Sequence, residues 1–200
     1  MPTEERVQSA ALDLFTRKGF SATGVRDIAR AAGISSASLY HYMVTKEDLL
    51  VAVTVRATDH LVEPGRHIHA SGGSPIERLS ALVRHHVIEH AHGQAVWQIA
   101  DEDWRRLDEV RRAPIVALRD EYQSYWESAV EDGRAAGIFQ CADTKLVTFG
   151  ILAMCSDVYK WFRSGGRLAP DQIAGHYVDL ALAMLQTKRP RAKRRRPASK

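Results

Sequence analysis

The stretch from Asp27 to Met43, DIARAAGISSASLYHYM, places the hydroxyl-bearing side chains Ser35, Ser36, Ser38, Tyr40 and Tyr42 within eight residues. Hydroxyls at this density suit hydrogen bonding to phosphate oxygens and base edges, and the tyrosine rings also suit a thymine methyl group. Short side chains such as Ser and Ala let a backbone come close to a groove. Arg26 is a long donor nearby able to take a guanine bidentately. Catalysis is a poorer fit, because the chain carries no GxSxG, HExxH or GxxxxGK and no GxGxxG after a strand. No enzyme is expected.

A second constellation is RHHVIEHAH, in which His86 and His90 stand one helical turn apart. Two ring nitrogens alone make a poor metal site, and Asp101, Glu102 and Asp103 would have to complete it. The expectation is therefore no metal and no cofactor, with these histidines either at the surface or at the polar end of an organic-ligand pocket. The two cysteines, Cys141 and Cys155, lack CxxC spacing and read as buried free thiols.

The elements that must position these residues recur at helical period, with Gly and Pro between segments, so the fold class is all-α. In RVQSAALDLFTRKGF the apolar positions Val7, Ala11, Leu14 and Phe15 share one face, and Gly19 follows two basic residues as a helix stop. Thr23 and Gly24 open a second helix with Val25, Ile28 and Ala29 inward, closing at Gly33. Ser35 then caps a third helix with Leu39 inward. Two short helices joined by a glycine turn form a helix-turn-helix, whose second helix enters the major groove by its N-terminal end. Thr45 and Asp48 match a capping box, so a fourth helix starts there and aims Lys46 outward at an anion.

The formal charge of +4 is concentrated at one end. The final segment KRPRAKRRRPASK holds eight Lys or Arg and no acid, and the rest of the chain has 20 basic and 24 acidic residues. Residues 188–200 are expected to be a disordered polybasic tail that attracts phosphate backbones. The first fifty residues balance six bases against six acids, an unusual neutrality for a DNA reader that the tail would offset. No long uncharged apolar run and no signal-peptide pattern occur, so no membrane association is expected and the location is expected to be cytoplasmic.

The run ALDLFTRKGFSATGVRDIARAAGISSASLYHYMVTKEDLL resembles the N-terminal domain of the TetR family of bacterial transcriptional regulators. The resemblance rests on F-x-x-x-G-F, V-R-D-I-A-x-x-A-G-I-S, L-Y-x-x and K-E-D-L-L, over about Ala11 to Leu50. It implies that Ser36, Ala37 and Tyr40, with Arg26 from the preceding helix, occupy base-reading positions, and that Ser38, Tyr42 and Lys46 fall where the family holds phosphate. Tyr42 stands where His is more usual and Met43 where Phe is, which keeps a phosphate donor and an apolar plug.

By the same resemblance, residues 1–50 form a three-helix helix-turn-helix domain and 51–187 a larger helical effector-binding and dimerisation domain. Its helices are expected near 46–69, 75–92, 95–109, 112–136, 143–164 and 170–186, with Pro114 in a first turn. Trp97, Trp104, Tyr125, Trp126, Phe149, Met154 and Trp161, with Cys155, would line a wide apolar pocket for a small hydrophobic effector. The segments EYQSYWESAVEDGRAAGIF and WFRSGGRLAPDQIAGHYVDLALAML are similar to regulators of fatty-acid and steroid breakdown, which makes an acyl-CoA thioester the suspected effector. Leu146, Phe149, Leu152 and Ala153, with Ile173, Tyr177, Leu180, Ala181 and Met184, would meet their symmetry mates in a homodimer.

The expected function is a repressor on a double-stranded, palindromic operator, released by that effector through a change in the separation of the two heads. A metal-responsive regulator of the same fold, or a sequence-tolerant DNA binder driven by the tail, are the alternatives.

Overall fold

The computed structural model describes residues 2–185, which are helical with no strand among them. The polybasic segment 188–200 lies outside the described residues.

The head is built from α1 (Thr3–Lys18), α2 (Val25–Ala32) and α3 (Ser36–Leu39). The first helix buries Val7, Ala11, Leu14 and Phe15 and ends at Gly19, whose N–H donates to the Phe15 carbonyl at 2.8 Å. Thr23 is buried and turns its hydroxyl back to the carbonyls of Leu14 and Gly19, which closes the loop before α2. Gly33, at φ 69°, makes the left-handed turn between α2 and α3 that a side chain would disfavour.

The body comprises α4 (Lys46–Ala70), α5 (Pro75–His92), α6 (Gln94–Glu102), a single 3-10 turn (Trp104–Arg106), α7 (Glu109–Ala135), α8 (Thr144–Ser156), α9 (Val158–Trp161) and α10 (Pro170–Leu185). The capping box expected at Thr45 and Asp48 is present in both directions, and Ser74 with Glu77 forms another at the start of α5. Gly65 lets α4 and α7 lie close, since a Cβ there would stand 2.8 Å from the Tyr122 ring.

Three element boundaries depart from expectation. The helix expected over 95–109 stops at Glu102, where Asp101, Glu102 and Asp103 place negative charge against the negative end of the helix dipole. The next helix begins at Glu109 rather than 112, because Asp108 caps it by accepting the Arg111 N–H at 2.9 Å. Pro114 therefore lies inside α7, one turn beyond the first. The carbonyl it leaves free belongs to Val110, which is 84% exposed. The helix expected over 143–164 is divided at Asp157 into α8 and α9.

Pro64 inside α4 is the more consequential case. It forfeits a hydrogen bond to the His60 carbonyl, and His85 of α5 takes that carbonyl through Nε2 at 2.9 Å.

Two apolar interiors result. One fills the body around Leu79, Leu82, Val87, Trp126, Ile151 and Leu185. The other fills the head, but Ile99, Leu107 and Ile115 of the body complete it, with Trp104 packed alongside. A boundary drawn at residue 50 thus passes through a shared interior.

Candidate nucleic-acid interface and buried polar chamber

The recognition helix is positioned by one cap and one anchor. Ser35 Oγ accepts the Ser38 N–H at 3.0 Å, and the two hydroxyls lie 2.8 Å apart. Leu39 is fully buried and Met43 nearly so, which fixes the helix against α1 and α2. With that face held, Arg26, Ala37, Tyr40 and Tyr42 are exposed and Ser36 and Ser38 half-buried at the surface. Tyr40 and Tyr42 expose 57% and 42% of their surface, an arrangement that costs apolar burial unless something covers them. A short helix presenting hydroxyls and rings outward can offer hydrogen-bond donors to phosphates and base edges together.

Lys46 departs from its expected orientation. Its Nζ folds back to the carbonyls of Phe20, Ser21 and Thr23 at 3.0, 3.3 and 3.4 Å, and lies 4.5 Å from the centre of the Phe20 ring. The free carbonyls after the end of α1 and the electron-rich ring face compete for the ammonium, which here ties α4 to the head rather than pointing outward. Two further ties come from the body. Arg111 of α7 bonds Asp48 at 3.1 Å, and Arg106 reaches the Ser21 hydroxyl at 3.4 Å. Burial would raise Asp48, but the N–H groups of Thr45 and Val44 and the Arg111 guanidinium hold its carboxyl below the usual range.

The histidine pair lies inside the body. His86 and His90 are 3% and 1% exposed, with rings stacked 4.0 Å apart, and Trp97 covers the other face of His90 at 4.1 Å. The His86 ring nitrogens meet Tyr122 Oη at 3.3 Å and Ser156 Oγ at 3.1 Å, while His90 Nδ1 meets the His86 carbonyl at 2.9 Å. His90 Nε2 stands 3.8 Å from Asp101, which pairs with Arg119 at 2.7 Å. Burial, reinforced by neighbouring His90, holds His86 well below its ordinary value, so it is uncharged at neutral pH. Burial also opposes ionisation of Asp101, yet His90 and Arg119 outweigh it and keep the carboxyl ionised.

These groups surround a chamber of about 140 Å³, closed by Thr58, Leu61, Gln123 and Leu152. Among the described residues, no group of three or more His, Cys, Asp or Glu side chains is placed to hold a metal ion. The arrangement is suited to hydrogen bonding with an organic molecule.

The seven residues expected to line one apolar pocket are dispersed over different faces. Trp97 borders both the polar chamber and a crevice of about 430 Å³ between α1, α4, α5 and α6. Trp126 is fully buried in the body core, edge-on to His86, and Met154 packs half-buried against that core. Trp104 turns toward the head, beneath the Arg119 guanidinium at 4.9 Å. Tyr125 stacks on His69 and donates its hydroxyl to Glu121. Phe149 is exposed, and Trp161, also exposed, borders a shallow pocket beside Tyr177. Aromatic type alone does not tell which face of a helix a ring takes.

Sequence reasoning missed Arg119, Tyr122, Gln123 and Ser156. A signal existed for two of them, since Arg119, Tyr122 and Trp126 recur at the spacing of one buried helix face, and a charged residue on such a face asks for a partner. Ile173 and Ala181, assigned to an outward stripe, are instead core residues, while Leu146, Phe149, Leu180 and Met184 remain exposed across α8 and α10.

Comparisons with known proteins agree with this architecture. Residues 8–53 match the model for bacterial regulatory proteins of the tetR family, and residues 72–185 match a tetracyclin repressor-like C-terminal domain. The chain is 33% identical over 183 residues to the HTH-type transcriptional repressor KstR2 of Mycolicibacterium smegmatis, covering 90% of this chain and 88% of that protein. The structure of the ketosteroid transcriptional regulator KstR2 of Mycobacterium tuberculosis superposes with a TM-score of 0.82 at 28% identity, over 94% of this chain and 96% of that one. AibR in complex with isovaleryl coenzyme A and operator DNA superposes with a TM-score of 0.81 at 28% identity, over 90% and 97%. This chain, with a helix-turn-helix head and a larger helical body, belongs to the TetR family of DNA-binding transcription regulators.

Proposed function

We propose that the protein is a ligand-responsive transcriptional repressor that binds a palindromic operator as a homodimer and leaves it when a hydrophobic small molecule, an acyl-CoA thioester of fatty-acid or steroid degradation, occupies the body. Arg26, Ser36, Ala37 and Tyr40 read bases, and Ser38 and Tyr42 hold phosphate. Ser35 acts through its cap on Ser38. Lys46 contributes by holding α4 against the loop before α2.

The observation that carries the effector half of this reading is the polar chamber inside a fold shared with AibR, a protein described with a coenzyme A thioester and operator DNA together. Trp97 is the aromatic expected to meet the ligand. The dimer half is supported by Leu146, Phe149, Leu180 and Met184, which leave an apolar face across α8 and α10 uncovered in the single chain. A two-fold pair joined there presents two recognition helices to successive major grooves. Effector favours head positions that no longer match the operator spacing, and by linkage DNA must weaken effector binding by the same factor.

The test is a mobility shift of the upstream region of the protein's own gene, titrated with acyl-CoA thioesters of increasing length and the matching free acids. Release by one class of thioester is the expected result. Tight, sequence-specific binding that no thioester disturbs would overturn the effector assignment and leave the DNA-binding one standing.

A further inference from the structure

The crevice and the polar chamber share one lining side chain. Trp97 of α6 has one edge in the crevice, beside Leu12, Val53, Ala57 and Val96, and a face against His90 at the chamber. The indole is held by its Nε1–H, which donates to the Glu89 carbonyl at 3.1 Å, and it lies against the bare Cα of Gly93 at the joint between α5 and α6. A Cβ at Gly93 would stand 3.0 Å from the indole, so the position of the ring depends on glycine at that joint. Trp126 is fully buried in the core, whereas Trp97, 3% exposed, lines both spaces, with His90 stacked on its chamber face.

The two spaces differ in chemistry. The crevice has an apolar lining of Leu12, Val53, Ala57 and Val96, with Gln8, Arg56 and His60 also bordering it. The chamber offers hydrogen-bonding groups with no spare charge, because Asp101 balances Arg119, and Arg119 Nε is buried without a partner. The crevice also crosses the junction of head and body, since Gln8, Ser9 and Leu12 of α1 form one wall and α4 another, joined by the contact of Arg56 with Gln8 at 3.3 Å.

We infer that crevice and chamber are two halves of one effector channel with the Trp97 indole as its partition, and that α1 of the DNA-binding head is itself a wall of the effector site. The occupant is an amphipathic molecule with an apolar body lying between α1 and α4 and a neutral hydrogen-bond acceptor, a carbonyl rather than a carboxylate, reaching His86, Ser156 and Arg119. Such an occupant wedges the head directly, because seating it between α1 and α4 changes the separation of those helices. The inference rests on the ligand-responsive reading above.

The test measures binding of isovaleryl-, octanoyl- and benzoyl-CoA to the full-length protein by calorimetry and stopped-flow fluorescence, in the wild type and in Trp97→Ala, Trp97→Phe and Ser9→Trp. Operator affinity without thioester and the thermal midpoint serve as folding controls. The expected result is association at least tenfold faster in Trp97→Ala, an intermediate rate in Trp97→Phe, and affinity at least tenfold weaker in Ser9→Trp, where the new ring fills the crevice. Thioester binding and operator release that all three variants leave unchanged would overturn the channel while sparing the effector assignment. A wild type that binds no thioester and keeps its operator overturns both.

Discussion

The head and the body bury different kinds of groups, and the difference separates holding a shape from waiting for a ligand. The head interior is largely apolar, with Val7, Leu14, Phe15, Ile28, Leu39 and Leu50 filling it and Thr23 buried beside them, while Ser35, Tyr40 and Tyr42 stay exposed. The body places His86, His90 and Tyr122 inside, and leaves Arg119 Nε and Trp126 Nε1 without partners. Burying polar groups costs free energy unless each is satisfied, a cost borne by Arg119 Nε and Trp126 Nε1 in the body and by Trp104 Nε1 beside the head interior. An apolar interior fixes one geometry, whereas an incompletely satisfied polar one gives an incoming molecule something to bind.

The most severe way to probe this contrast is Leu39→Ala. The side chain is fully buried beneath the recognition helix, so the change should cost about 2–5 kcal/mol and abolish operator binding. Denaturant titration and mobility shift check it, and a loss under 1 kcal/mol would mean that the head interior is looser than its packing implies. In the body, His86→Gln keeps hydrogen-bonding capacity but removes titration. The folded value of His86 lies below its unfolded value, so the unfolded state takes up the proton first and stability falls as pH drops below the unfolded value of about 6.5. Wild type should lose up to about 1.4 kcal/mol per pH unit from this group on acidification, and His86→Gln should lack that component. Parallel stability-against-pH curves for the two proteins would contradict the assignment.

Smaller effects refine the comparison. Ser35→Ala removes the cap of α3 and should lower stability by about 1 kcal/mol, with a loss of operator affinity measurable by fluorescence anisotropy. Arg111→Ala breaks the pair with Asp48 and should leave the thermal midpoint nearly unchanged, since both side chains are one-third exposed and water screens the pair. A larger fall in the thermal midpoint would show that head and body are joined chiefly by charge rather than by Ile99, Leu107 and Ile115.

The head was legible in the sequence because its decisive interactions are local. Gly33, the Ser35 cap and the Thr45–Asp48 box each act within four residues, and all occur as read. The inward orientation of Lys46 is not legible for the opposite reason, since its partners Phe20, Ser21 and Thr23 lie more than twenty residues away. The chamber was not legible because its members come from five helices, and no spacing within one helix announces that His86, Asp101, Arg119 and Ser156 meet. The expectation of a wide apolar lining gave every aromatic the same meaning. Phe149 and Trp126, one exposed and one fully buried, show that helix phase rather than residue type decides.

Pro64 has a mechanical consequence. A helix of 25 residues is ordinarily a stiff rod along which each carbonyl is braced by the next turn, and here one brace is missing near the far end. The load at that point passes sideways to His85, through a single bond that can lengthen or re-form without unwinding the helix. The rod is thus tied across to α5 at one point, between the part that runs into the head and the part packed against α7 at Gly65.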